Sequence, residues 1–90
     1  MGNTNPKPVL YKQDGTIEAL KVDRRLKEYE ITNILGCKEP VRLKTNTPGV
    51  GVITCSENYI KKGTRLNKRV YAEYGQVVFG DAIIIQIWRM

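Results

Sequence analysis

Apolar positions follow two rhythms along this chain. Residues 9–13 and 16–22 are apolar-rich runs of strand length, and Asp14-Gly15 lies between them. That arrangement predicts a β-hairpin, because both turn residues accept positive φ at little cost. A two-residue loop places Leu10, Ile17 and Ala19 on one face but Val9, Tyr11 and Leu20 on the other. Either both faces are partly covered, or the loop is longer. From Arg24 to Leu35 the rhythm becomes helical, with Leu26, Tyr29, Ile34 and Leu35 supplying the buried side. Asp23 is placed to cap the free amides of the first turn, and Gly36 to end the helix in the left-handed conformation. Glu39-Pro40 cannot extend that helix, and residues 41–45 alternate as a half-buried strand does.

A turn at Asn46-Thr47-Pro48-Gly49 leads into residues 49–55, which become continuously β-branched and read as the next strand. Ser56 to Gly63 is a polar connection. A second helix is predicted from about Arg65 to Tyr74, with Leu66, Val70, Tyr71 and Tyr74 in one stripe, Thr64 or Asn67 as cap and Gly75 as its end. Residues 76–79 are an optional short strand, and Gly80-Asp81 is a tight turn or bulge. The following run is apolar on both faces apart from Gln86, as a central, doubly covered strand reads. The order β-β-α-β-β-α-β predicts an α+β domain: a small single-layer mixed or antiparallel sheet with two short helices packed on it. Residues 1–8, polar and holding two prolines, read as a flexible N-terminal arm, and residues 9–90 as one domain.

Composition narrows the functional classes. The chain has 90 residues, 41% apolar and 27% charged, which suits one ordinary globular domain with a small core. No apolar run approaches the ~18 residues of a membrane span, so a cytoplasmic protein without a membrane partner is expected. There is no histidine to shuttle protons, and the single serine, Ser56, lacks an imidazole to activate it. Glu57 and Asp81 are not brought together by any spacing. No enzyme, metal or cofactor is expected. Cys37 and Cys55, too few for a disulfide scaffold and lacking further good zinc ligands, are expected as two small buried thiols.

The net charge of +6 is uneven. Residues 1–57 carry nine Lys/Arg against seven Asp/Glu, residues 58–72 five against none, and residues 73–90 one against two. The patch consists of Lys61, Lys62, Arg65, Lys68 and Arg69, with Tyr59 beside it. Lys12, Arg42 and Lys44 are a possible extension.

The C-terminal third carries a pattern: Leu66-Asn67-x-x-Val70-x-x-x-Tyr74-Gly75, then Gly80-Asp81-x-Ile83-Ile84. In this it resembles a small uncharacterised family of bacteriophage and mobile-element proteins, with weaker similarity through the opening hairpin and the helix ending at Gly36. The pattern is architectural, with Asn67 bracing a helix start, Gly75 ending that helix and Gly80-Asp81 setting the entry to the central strand. The resemblance implies no catalytic residues. It implies a small protein that acts by binding a host component, in host takeover or as an inhibitor of defence.

Three functional expectations follow. The first is a binding protein whose basic patch engages a host protein with an acidic surface. The second is a nucleic-acid-binding domain that contacts phosphates through Lys61–Arg69, with Tyr59 as a stacking surface. The third is a pocket for a phosphorylated small ligand lined by the same cations. The hairpin edge and the apolar last strand make a homodimer possible.

Overall fold

A computed structural model of the chain describes residues 8–20, 26–56 and 66–86. Its elements are β1 (Val9–Tyr11), β2 (Ile17–Ala19), α1 (Glu28–Leu35), β3 (Pro40–Lys44), β4 (Val50–Cys55), α2 (Lys68–Tyr74) and β5 (Ala82–Gln86). The five strands form one sheet in the order β2-β1-β5-β4-β3, every neighbouring pair antiparallel. This is the α+β architecture expected. β5 is the central strand, as its apolar run predicts.

The two helices cover opposite faces of the sheet. Because side chains alternate along a strand, Ile84 and Ala82 of β5 join Tyr11, Val52, Val70 and Val78 on the α2 side. Ile83 joins Leu10, Leu26, Ile31 and Ile53 on the α1 side. The register sets these rows directly: Leu10 pairs with Ile83 and Ile83 with Ile53, while Ile84 lies between Val9 and Val52.

The hairpin resolves the alternation problem through a three-residue loop. Lys12 N donates to Thr16 O, Gly15 N donates to Lys12 O, and Gly15 takes a φ of 96°. These are the marks of a type I turn followed by a left-handed residue. The extra loop residue brings Val9, Tyr11, Ile17 and Ala19 to one face and leaves Leu10, Glu18 and Leu20 on the other. Most of the expected N-terminal arm lies outside the described residues. Pro8 is buried, and its carbonyl accepts from Leu20 N, extending the hairpin ladder.

α1 is shorter than its sequence pattern. Lys27 is extended, and the helix starts at Glu28, not Arg24; the expected cap, Asp23, lies outside the described residues. Glu30 accepts from Lys27 N at 2.8 Å, one half of a capping box. The reciprocal half is missing because an ammonium cannot accept. Of the expected buried side, Leu26, Ile34 and Leu35 do pack into the core, while Tyr29 is 60% exposed and the fully buried helical residue is Ile31. Gly36 ends the helix as expected, with φ 69° and its amide donating to Thr32 O.

The cysteines are not separate thiols. Cys37 and Cys55 are joined by a disulfide, their Cα atoms 5.9 Å apart. The antiparallel β3–β4 pair returns the chain beside its own start, pairing Cys55 with Pro40, and Ser56 N donates to Glu39 O. Distance along the sequence conceals that return. Residues 76–79 are not a strand: they make a single bridge, Phe79 to Leu66, although Val78 is fully buried. Among the described residues no helix is long and apolar enough to cross a membrane.

A candidate binding surface around the second helix

α2 is held at both ends. Its start is fixed by Asn67, which is completely buried. Asn67 Oδ1 accepts from Val70 N, capping the helix, while Nδ2 donates to Tyr11 O at 2.9 Å and Gly80 O at 2.8 Å. Asn67 N donates to Val78 O. One side chain therefore links the helix start to β1 and to the turn before β5. The other end is tied to the β3–β4 turn. Asn46 N donates to Tyr74 O, and Gln76 Nε2 donates to Lys44 O at 2.7 Å. Gly75 takes φ 70° where a Cβ would meet the Asn46 side chain at 2.9 Å, so the close approach and the left-handed turn both call for glycine.

Asp81 also braces the structure. Its carboxylate accepts from Gln13 N at 2.9 Å, fixing the hairpin tip, and its carbonyl accepts from the buried Thr54 hydroxyl. Gly80 is buried with φ 111°. Asn67, Gly75, Gly80 and Asp81 thus converge around α2 and the entry to β5.

The flank of α2 that faces the hairpin carries a second chain of contacts. The Tyr11 hydroxyl donates to Glu73 Oε1 at 2.8 Å, and Arg69 Nε lies 3.3 Å from Glu73 Oε2. The Tyr11 ring meets the Tyr74 ring edge-on at 6.0 Å. Burial, reinforced by the hydrogen bonds to Tyr74 and Glu73, pushes the Tyr11 hydroxyl well above the ordinary tyrosine range. At the hairpin tip Asp14 accepts from Thr16 N at 2.9 Å, and the Thr16 bonds hold its carboxyl below the usual range. Between these two flanks lies an open cleft of about 460 Å³, lined by Gln13, Asp14, Gly15, Leu66, Lys68, Arg69, Ala72 and Glu73.

Lys68 and Arg69 are exposed on the first turn of α2. Lys61, Lys62, Arg65 and Tyr59 lie outside the described residues. The residues named as a possible extension are elsewhere. Arg42 pairs with Ile53 and its guanidinium lies 3.9 Å from Glu28 of α1, which puts it, and by alternation Lys44, on the sheet face opposite α2. Lys12 forms an ion pair with Glu18 at 3.6 Å. Tyr71, expected within the core stripe, is 54% exposed. The helix begins at Lys68, not Arg65, and only Val70 and Tyr74 of that stripe point to the sheet. The i, i+3 spacing of Lys68 and Tyr71, both exposed, is the signal in the sequence that marks this outer face.

Lys68 and Arg69 end the densest run of cations in the sequence: residues 58–72 hold five Lys/Arg and no Asp/Glu. Comparison with protein-family models, curated proteins and solved structures finds no match to this chain.

Proposed function

We propose that this chain is a non-enzymatic binding protein of the phage or mobile-element type that engages a host component through the basic stretch Lys61–Arg69. The partner offers an acidic protein surface, and the role is host takeover or inhibition of defence in the host cytoplasm. The clustering of cations along the sequence carries this reading: residues 58–72 hold five Lys/Arg and no Asp/Glu, a concentration that favours steering toward an anionic surface. All five of those cations fall within the 61–69 stretch. Its last part joins α2 at a buried clamp, so a partner that binds there meets a fixed helix start and not a loose tail.

Capture from a host lysate, treated with nuclease and repeated with the charge-reversed variant K62E/R65E, tests the reading. A protein retained by the wild type and lost by the variant supports it. Equal capture by both overturns it.

A second reading, binding of single-stranded nucleic acid, is favoured by one observation: Tyr71 is 54% exposed beside Lys68 on the outer face of α2. An exposed aromatic among cations is a stacking platform. If all five cations of the stretch contact phosphates, the logarithm of affinity falls against the logarithm of salt with a slope of roughly −3 to −4. A slope near zero in fluorescence anisotropy with random single strands removes this reading.

A further inference from the structure

We propose that the cleft between the hairpin tip and α2 binds a small zwitterion, an α-amino acid or a close relative, with its carboxylate on Arg69 and Lys68 and its ammonium on Asp14. The inference concerns a different ligand from the function proposed above and does not depend on it, although Lys68 and Arg69 belong to both surfaces.

The two sides of the cleft carry opposite charge and are separately braced. On the helix side, Arg69 forms an ion pair with Glu73 through Nε, and Glu73 accepts from the buried Tyr11 hydroxyl. Pairing on the Nε side leaves the two Nη groups as a fork, the geometry that receives a carboxylate in two parallel hydrogen bonds. Among the described residues those Nη groups have no partner. Lys68, adjacent on the cleft wall, adds a second cation.

On the hairpin side, the Asp14 carboxylate is set by Thr16 and remains ionised through the neutral range. Gly15, with φ 96°, has open space where a Cβ would stand, so the wall there is bare backbone. The hairpin tip is fixed to the rest of the fold by the bond from Gln13 N to Asp81. The separation of charge across the cleft is therefore built in before any ligand arrives, which lowers the cost of ordering on binding.

The balance of charge selects the ligand class. Two cations and two carboxylates line the cleft, and the Glu73 carboxylate is already shared between Arg69 and Tyr11. A phosphate dianion gains from the cations but faces Asp14. A zwitterion satisfies both sides. The volume of about 460 Å³ admits a free amino acid with room for its side chain.

The test is two-dimensional NMR titration of the whole protein with the standard L-amino acids, with their N-acetyl and carboxamide derivatives, and with inorganic phosphate. The expected result is saturable shifts at Asp14, Gly15, Lys68 and Arg69 with at least one free amino acid. Affinity should fall at least tenfold on N-acetylation, on amidation, and in both R69Q and D14N. Circular dichroism confirms that the variants remain folded. R69K retains charge without the fork and should lose most of the same affinity. D14N separates this site from the partner surface: it abolishes amino-acid binding but leaves capture of an acidic partner unchanged or stronger. K62E/R65E does the reverse. No saturable shift with any amino acid overturns the proposal, as does equal binding of the blocked derivatives. Tighter binding of phosphate at the same residues overturns it too, by showing a plain anion site.

Discussion

Replacing Asn67 with alanine should cost a large share of the protein's stability. The side chain is completely buried and makes three hydrogen bonds, one accepted from Val70 N and two donated to Tyr11 O and Gly80 O. Losing the cap costs about 1 kcal/mol. Each carbonyl left without its donor in the interior costs about 1–3 kcal/mol, and the lower half of that range applies where a second lone pair is satisfied by the sheet. The total is about 3–5 kcal/mol. A domain of this length has a stability of roughly 5–13 kcal/mol, so the loss is about a quarter of the whole or more. Urea unfolding followed by circular dichroism gives the value directly, provided the slope with denaturant is unchanged.

N67D sharpens the experiment. It retains the cap oxygen but sets a carboxylate against two carbonyls, so its folded-state pKa is raised. A group shifted that way loses stability as pH rises above about 4, and N67D should be least stable at neutral pH and partly recover in acid. A cost below 1 kcal/mol for N67A, or no pH dependence for N67D, would show that Asn67 is an ordinary helix cap.

Three further predictions concern other parts of the framework. Reducing the Cys37–Cys55 disulfide, or replacing both cysteines with alanine, reopens a link between positions 18 apart and should lower stability by about 3 kcal/mol; a urea midpoint unaffected by reductant contradicts this. Because cytoplasmic thiols are kept reduced, the same experiment states how stable the proposed cytoplasmic form is. Gly75→Ala should cost about 1–2 kcal/mol from the left-handed backbone and exceed Gly36→Ala, since only at Gly75 does the new Cβ meet a neighbour; equal midpoints for the two variants would remove the contact with Asn46 from the account. The raised pKa of Tyr11 means its neutral form is favoured in the folded state, so its contribution is complete below about pH 10 and lost as pH rises beyond it. Tyr11→Phe should lower stability by about 1 kcal/mol at neutral pH and flatten the alkaline decline; an unchanged alkaline profile refutes the assignment.

The sheet was legible because its strands carry local signals. Residues 52–54 and 83–85 are β-branched in successive positions, as a strand covered on both faces uses. The central place of β5 followed from that alone. The start of α1 was not legible and that of α2 only in part, since Asn67 was one of two expected caps, and the physical reason is the same in both. Residues 24–27 and 65–67 continue a helical period of apolar positions, but Leu26 and Leu66 are used by non-helical backbone, in the core beneath α1 and in the bridge to Phe79. Periodicity counts side chains that are buried and is blind to the conformation that buries them. Tyr29 and Tyr71 were consequently given to the core when both are largely exposed.

Asn67 was legible as a cap and part of a pattern, but its bonds to Tyr11 and Gly80 are tertiary, and no local spacing announces them. The disulfide was missed for the related reason that β3–β4 pairing, not sequence distance, brings the two cysteines together. For the candidate surface, the density of cations in 61–69 is plain in the sequence. The opposed charges of Asp14 and Arg69 become neighbours across one cleft only when the hairpin and α2 are packed on the same end of the sheet.

The central claim is that the Lys61–Arg69 stretch is where this protein meets its partner. Its most direct test is quantitative capture from nuclease-treated host lysate by the wild type and by K62E/R65E, side by side, at ~50 mM salt and again at ~200 mM. The account predicts one protein held by the wild type, at least tenfold less of it on the variant, and weaker capture at the higher salt. The same protein held equally by both, at either salt, would contradict it.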